Sequence, residues 1–295
     1  MSDFTSNRRQ FIRTASLGLA AAPFLSVTSC QAANLTIAQV IEQIIAQIPG
    51  GKRAETVDTL KIGDPKWAVK GIATTFMATI PVIEKAAAAG LNFIITHEPT
   101  FYNHLDETDW LADDPVYQHK KALLEKHQIA VWRFHDYWHR YEPDGILTGF
   151  LQKVGWEAKQ DPTNNLICQI DAEPLEALAS GLAERLSLSR TFYIGDPTLS
   201  CARVGVMPGS WGKDPHIELL REDIDVLVIG ECNEWETSEY VRDAAAAGIK
   251  KGLIILGHAE SEEPGMAYCR DWLNEMFPKL EIVHVPAGDA FSPAV

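Results

Sequence analysis

The sequence predicts an α/β fold in which parallel strands dominate, and three observations predict it. A helix end, a glycine and a short apolar strand occur at Ala86–Ala89, Gly90 and Phe93–Ile95, and again at Ala244–Ala247, Gly248 and Leu253–Leu256. Each strand then meets a histidine with carboxylates beside it: His97-Glu98 in the first case, His258 with Glu260 and Glu262 in the second. A third copy follows a helix expected over 115–127 and a strand over 129–134, and it delivers His135-Asp136-Tyr137-Trp138-His139. Gly90 and Gly248 suit the left-handed position that closes a helix. Uninterrupted apolar runs fit strands buried on both faces, and their alternation with helices suggests βαβ units.

Residues 1–33 read as an address. Asn7-Arg8-Arg9-Gln10-Phe11-Ile12-Arg13 resembles the twin-arginine export motif, and an apolar stretch from Ala15 to Val27 follows. A charged head before a short apolar region is signal-peptide anatomy. Val27-Thr28-Ser29-Cys30 resembles a lipoprotein cleavage box, which would leave a lipid anchor on Cys30; ordinary cleavage near Ala32 or Ala33 is the alternative. The expected destination is the periplasm or cell envelope.

Helical apolar spacing covers 37–48 through Ile37, Val40, Ile41, Ile44, Ile45 and Ile48, ending at Pro49-Gly50-Gly51. Strands are expected at 59–62 and 69–73, on either side of Gly63-Asp64-Pro65. A helix over 79–89 carries Pro81 in its first turn, where a missing N–H does no harm. After the three-fold pattern, 145–154 reads as a helix ending at Gly155. The polar stretch 159–165 separates an N-terminal half, 37–158, from a C-terminal half, 166–295. The second half is expected to run strand 166–170, helix 174–186, strands 192–194 and 203–206, a loop 207–212, helix 214–220 and strand 226–229. A helix over 238–247, the strand before His258, a helix over 264–277 and a strand over 282–285 complete it.

The 295 residues carry a formal charge of −14. Arg8, Arg9 and Arg13 lie in the leader against Asp3 alone, so the remainder is more acidic still. That balance argues against nucleic acid as a partner. No apolar run is long enough for a transmembrane helix. The five cysteines, Cys30, Cys168, Cys201, Cys232 and Cys269, contain no CxxC pair, which argues against a zinc knuckle. Disulfides among the last four and buried free thiols both remain open. Walker-type, Rossmann-glycine and Gly-x-Ser-x-Gly motifs are absent from the sequence.

Strand carboxyl ends are where open α/β sheets place their ligands. His258 and Glu262 are four residues apart, as are His135 and His139, a spacing that puts both side chains on one helical face. Pro99 disfavours helix at Glu98 and favours a turn there. Imidazole and carboxylate together suit zinc, manganese or iron. Convergence of the three clusters on a metal site is the working expectation. Glu231 and Glu234 follow another strand end and offer a general base, although surface acids before a helix have the same pattern.

The His97-x-Pro99 turn, the His135-x-x-x-His139 segment and the block Gly257-His258-x-x-x-Glu262-Glu263-Pro264-Gly265 resemble the Nif-three-like dinuclear metal-centre family over nearly all of the mature chain. Some members of that family are described as homologues of a GTP cyclohydrolase. The resemblance implies two interlinked α/β halves, mostly parallel or mixed sheets flanked by helices, and assembly as a homo-oligomer, a hexameric ring. It implies two divalent metal ions held by His97, Glu98, His139, His258 and Glu262. The family usually shows His-His-Pro where this chain has His97-Glu98-Pro99, and His-x-x-x-Asp where it has His135-x-x-x-His139. One histidine and one carboxylate have thus changed places, and the cluster's charge is kept. His135 is left as a proton shuttle or ligand-supporting residue, with Glu231 as a candidate base.

The function expected on this reading is a metal-dependent hydrolase that uses metal-activated water on a small or anionic substrate. The competing reading is a non-catalytic metal carrier or ring scaffold. A third leaves the histidines merely capping strands.

Overall fold

Thr36 opens the first helix with a reciprocal cap: its hydroxyl accepts the N–H of Gln39, and the Gln39 side chain accepts the N–H of Thr36. The computed structural model of the chain describes residues 35–292. The export and lipid-anchor expectations fall on residues 1–33 and lie outside it. From the cap, α1 (Ile37–Ile45) buries Ile37, Val40 and Ile44, the face expected from their spacing.

The N-terminal elements are β1 (Leu60–Ile62), β2 (Ile72–Thr75), α2 (Ile80–Ala88), β3 (Phe93–Thr96), α3 (Pro115–Lys126), β4 (Ala130–Arg133), α4 (Asp136–Arg140) and α5 (Gly145–Val154). Then come β5 (Ile167–Pro174), α6 (Leu175–Leu186), β6 (Phe192–Ile194), β7 (Ser200–Met207), α7 (Lys213–Arg221) and β8 (Val226–Ile229). A π-turn at Glu234–Ser238 leads into α8 (Glu239–Ala246), β9 (Gly252–Ile255), α9 (His258–Met276) and β10 (Ile282–His284).

Two five-stranded mixed sheets result, ordered β1-β4-β3-β2-β10 and β5-β7-β8-β9-β6. Strands β10, β2, β3 and β4 run parallel, with β1 antiparallel at one edge. In the second sheet β7, β8 and β9 run parallel between antiparallel edges β5 and β6. The α/β class and the mixed sheets are thus as the sequence predicts. Every residue of β2, β3, β4 and β8 is buried, which is why these strands do not alternate apolar with polar residues; β8 is apolar throughout, and β2, β3 and β4 end in Thr74-Thr75, Thr96 and Arg133. Gly90 and Gly248 close their helices with φ of 74° and 76°.

The structure departs from the sequence reading most at the following places. The strand expected at 69–73 lies at Ile72–Thr75; Thr74 and Thr75 are tolerated inside because their hydroxyls donate to Met266 O and Met77 O. The last helix starts at His258 and not at Pro264, and the proline sits inside it. Between the expected strand at 129–134 and helix at 145–154 lies a further one-turn helix, α4. The strand expected to close the C-terminal half, β10, pairs with β2 in the first sheet. The crossing ties the halves together, and the described residues form one compact unit.

The junction is made by α5 and α9. A side chain at Gly149 would strike the Gly265 backbone, and one at Gly265 would strike Ile146. The glycine of the Pro264-Gly265 pair is therefore a packing residue that brings two helix backbones together. Around it Phe134, Trp138 and Trp272 stack with ring centroids 5.2–6.2 Å apart, and Trp138 Nε1 donates to Gly265 O. Aromatic burial of this kind contributes about 1.5–3 kcal/mol per side chain. Cys168, Cys201, Cys232 and Cys269 are all free thiols. Among the described residues no helix is long and apolar enough to cross a membrane.

Candidate metal centre

Strands β3 and β4 end side by side, so His97 and His135 leave the first sheet as neighbours, and β9 delivers His258 from the second. One turn of α4 puts His139 beside His135; the N–H of His139 bonds to His135 O. One turn of α9 brings Glu262 to His258. The rings of His97, His135 and His139 lie 4.7–5.0 Å apart. Glu98 Oε1 lies 3.5 Å from His135 Nε2 and 3.7 Å from His258 Nε2. Glu262 Oε2 lies 3.4 Å from His97 Nε2 and 3.2 Å from His258 Nε2. The structure thus brings together His97, Glu98, His135, His139, His258 and Glu262. Their donor atoms converge in two groups, His97 with His135 and His139, and His97 with Glu98 and Glu262.

The chemistry of these donors fits a divalent ion. His97 Nδ1 meets Phe134 O at 3.2 Å; a carbonyl only accepts, so Nδ1 carries the proton and Nε2 presents a lone pair. That lone pair faces a carboxylate oxygen, and both His97 Nε2 and Glu262 Oε2 are buried without a hydrogen-bond partner. Two buried acceptors aimed at each other are costly unless a cation lies between them. Burial, with the neighbouring imidazoles, holds His97 well below the usual histidine range and so in its neutral, ligating form.

The surrounding groups fix these side chains. Burial works against charging His258, but the carboxylates of Glu231 and Glu262 outweigh it and raise the imidazole to about 10. Glu231 Oε1 is 3.3 Å from His258 Nδ1, on the other side of the ring from Glu262, and Glu231 is itself held low by that bond. Burial also opposes charge on His139, yet the 2.9 Å bond to Asp144 leaves it raised. Burial and the nearby His139 push His135 down to about 4, and its Nδ1 meets Asp136 at 3.0 Å. Burial and repulsion from Glu262 raise Glu98 to about 7, against the pull of Arg133. Carboxylates behind imidazoles orient rings and raise ligand basicity.

His135 stands in the cluster as close as His139 does, not behind it. Glu231 supports a ring and Glu234 begins the π-turn. Trp235 is largely exposed, whereas Tyr137 and Trp138 are core. Several neighbours had no signal in the sequence. Arg133 is fully buried and contacts Glu98. Asp58 accepts the backbone N–H groups at the start of α4. Gly209, at φ 78°, leaves room for the Glu262 carboxylate, and Ser261 Oγ accepts its N–H. Asp144, the N-cap of α5, could have been found from its place before a helix.

Two cavities open beside the cluster. One, about 490 Å3, is lined by His139, Arg140, Asp144, Pro208 and Trp211. The other, about 590 Å3, is lined by Arg53, His104, His135, Asp136 and His139.

The family model described as Duf34/NIF3 (NGG1p interacting factor 3) matches residues 36–289. A Clostridium acetobutylicum protein named GTP cyclohydrolase 1 type 2 homolog is 22% identical over 234 residues, covering 76% of this chain and 83% of its own. A solved Bacillus cereus protein related to NIF3 superposes with a TM-score of 0.72 at 14% identity, over 88% of this chain and 100% of its own. A Staphylococcus aureus protein superposes with a TM-score of 0.71 at 16% identity, again over 88% and 100%. At such identities the two structures speak for the fold alone.

Proposed function

The chain belongs to the Duf34/NIF3 family, and from that premise we propose that it is a divalent-metal-dependent hydrolase acting on a small, anionic substrate outside the cytoplasm. The observation that carries this reading is the pair of orphaned acceptors, His97 Nε2 and Glu262 Oε2, facing each other in a buried cluster. His97, Glu98, His139, His258 and Glu262 would hold the ions, two by family resemblance, and His135 has the geometry of a further ligand. Zinc, manganese and iron all suit this donor set. When bound, the metal supplies Lewis acidity and a water acidic enough to attack at neutral pH.

The protein's own groups supply the rest. Where it does not ligate an ion, His135, kept neutral by burial and with Nδ1 bonded to Asp136, can accept a proton from the attacking water at Nε2. Glu231 acts through His258 by holding its ring. Arg53 and Arg140 line the two cavities beside the cluster and can balance a substrate's negative charge. Exposed Tyr102, Leu105, Trp110 and Val116 offer apolar surface for a homo-oligomer. Export by the twin-arginine route would let the cytoplasm choose the metal before translocation, with Cys30 as the lipid anchor.

The test is turnover of phosphoesters, amides, cyclic amidines and purine nucleotides, the last prompted by the name of the Clostridium relative. Activity with manganese, zinc or iron that disappears in the double variant His97→Ala, His258→Ala supports the reading. Tight metal retention with no turnover across the panel points instead to a carrier or scaffold.

A further inference from the structure

Three long cationic side chains from three different elements converge on the loop that follows β3. Lys61 of β1, Lys120 of α3 and Arg133 of β4 are all buried, a placement that basic residues take only when paired. Lys61 Nζ lies 3.2 Å from Asp106 Oδ2, and Lys120 Nζ donates to Thr100 O at 2.6 Å. Arg133 donates through Nε to His97 O at 3.1 Å and through a terminal nitrogen to His104 O. Asp106 Oδ1 accepts the N–H of Phe101, and the Asn103 side chain is bonded to Phe101 and Glu107. Within these anchors Tyr102 and Asp106 sit at φ 66° and 58°. A tyrosine in the left-handed region is held there by its surroundings, and such strain gathers where a fold fixes a side chain for use.

The side chain that this loop brings to the cluster is His104. Its ring stands edge-on to that of His135, with centroids 6.2 Å apart, and it lines the cavity of about 590 Å3 with Arg53, Glu55, Asp136 and Arg140. The fixed charges of that wall cancel, two arginines against two carboxylates, so net charge does not say what the cavity takes. Hydrogen bonding does. Asp136 is engaged through both oxygens: Oδ2 accepts from Thr56 Oγ1 and Val57 N, and Oδ1 meets His135 Nδ1. Glu55 is exposed to solvent, and Arg140 donates to Pro49 O. Arg53 and His104 are bonded through their backbones alone. Among the described residues neither the Arg53 guanidinium nor the His104 ring has a polar partner. The cavity therefore offers unused N–H donors, from segments far apart in the sequence, and a group that accepts from both is an oxyanion.

We propose that His104 is a substrate-binding residue: with Arg53 it holds a tetrahedral oxyanion of the substrate, a phosphate or phosphonate, beside the histidine–carboxylate cluster, while the buried cations keep its loop in place. A ring N–H and a guanidinium on one such group leave a further oxygen free to face the cluster. The proposal rests on the hydrolase reading for the reaction that follows, but binding at this site is measured without turnover.

The test is calorimetric titration with phenylphosphonate, which carries the oxyanion but has no ester bond to hydrolyse. It is run on the chain loaded with Mn2+ and on the chelated chain. His104→Ala and Arg53→Gln should each weaken binding by about tenfold or more, the loss of one hydrogen bond to a charged group. His104→Phe keeps the shape of the ring without its nitrogens and should lose as much. His104→Gln keeps a donor and should recover part of the affinity. Manganese content and melting temperature of the His104 variants should match those of the unaltered chain, since the residue is exposed and holds no ion. Unchanged affinity in His104→Ala or His104→Phe overturns the proposal, and a shift in gel filtration alongside it makes the loop an interface instead. Loss of manganese from His104→Ala also overturns it, by making the ring a ligand. Failure of the unaltered chain to bind phenylphosphonate overturns the oxyanion site. Binding that depends on His104, in a chain that retains no manganese or turns over no phosphoester, sinks the hydrolase reading and leaves this site standing.

Discussion

Asp58 Oδ1 accepts the backbone N–H of His135 at 2.8 Å across 77 residues of sequence. The same oxygen takes the N–H of Asp136, and Oδ2 takes that of Tyr137. Helix α4 has no side-chain cap of its own, so Asp58 serves as a cap from a distant segment and sets where His135 and His139 project.

Asp58→Ala should leave three N–H groups, one buried and two partly buried, without that acceptor. A loss of about 2–3 kcal/mol in stability is expected, read from denaturant unfolding. Metal affinity should fall by about tenfold or more, because the ligands on α4 lose their anchor. Asp58→Asn keeps one acceptor oxygen and should fall between.

Glu231→Gln should act on affinity with little effect on the fold. The side chain is half exposed, so thermal unfolding should move by no more than about 1–2 °C. The neutral amide no longer holds the ring through Nδ1 or raises its basicity as the carboxylate does, and metal affinity should drop by about 10–100-fold. Calorimetric titration beside a melting curve separates the two effects.

The metal-free protein should lose stability as the pH rises from 7 to 10. His258 is raised from an ordinary 6.5 to about 10 by its carboxylate neighbours. A raised histidine contributes stability that is full below the unfolded value and is lost as pH climbs through the folded one. Metal binding must displace that proton, so apparent affinity should rise with pH over the same window. Melting temperatures of chelated protein against pH, with His258→Gln as the flat control, check the first statement. Proton release on metal addition, measured in buffers of different ionisation enthalpy, checks the second.

Gly209→Ala should damage the site more than the fold. Its φ of 78° is unfavourable for a side chain, and the added methyl would meet the Glu262 carboxylate. A backbone cost of about 1–2 kcal/mol is expected, together with loss of metal retention as Glu262 is pushed aside. Metal content after gel filtration, compared with the melting temperature, is the readout.

The sequence by itself determined the α/β class, most of the helices and strands, and the histidines at the strand ends, because each is encoded locally. Short apolar runs such as Phe93–Ile95 and Val226–Ile229, rich in β-branched or aromatic residues and bounded by turn signals, fit a doubly covered strand. The spacing His258-x-x-x-Glu262 fixes a shared helical face before any tertiary contact forms. The tertiary structure alone decided the return of β10 to the first sheet, since strand order leaves no mark on a strand's own residues. It also decided the surroundings of the cluster residues. Arg133 reads as the polar end of a strand until burial forces its guanidinium onto Glu98. Asp58 reads as a loop acid until α4 needs an acceptor, and Glu231 reads as a surface acid until it meets His258. Each of these roles arises from desolvation and from contacts far apart in the chain, which no local pattern records.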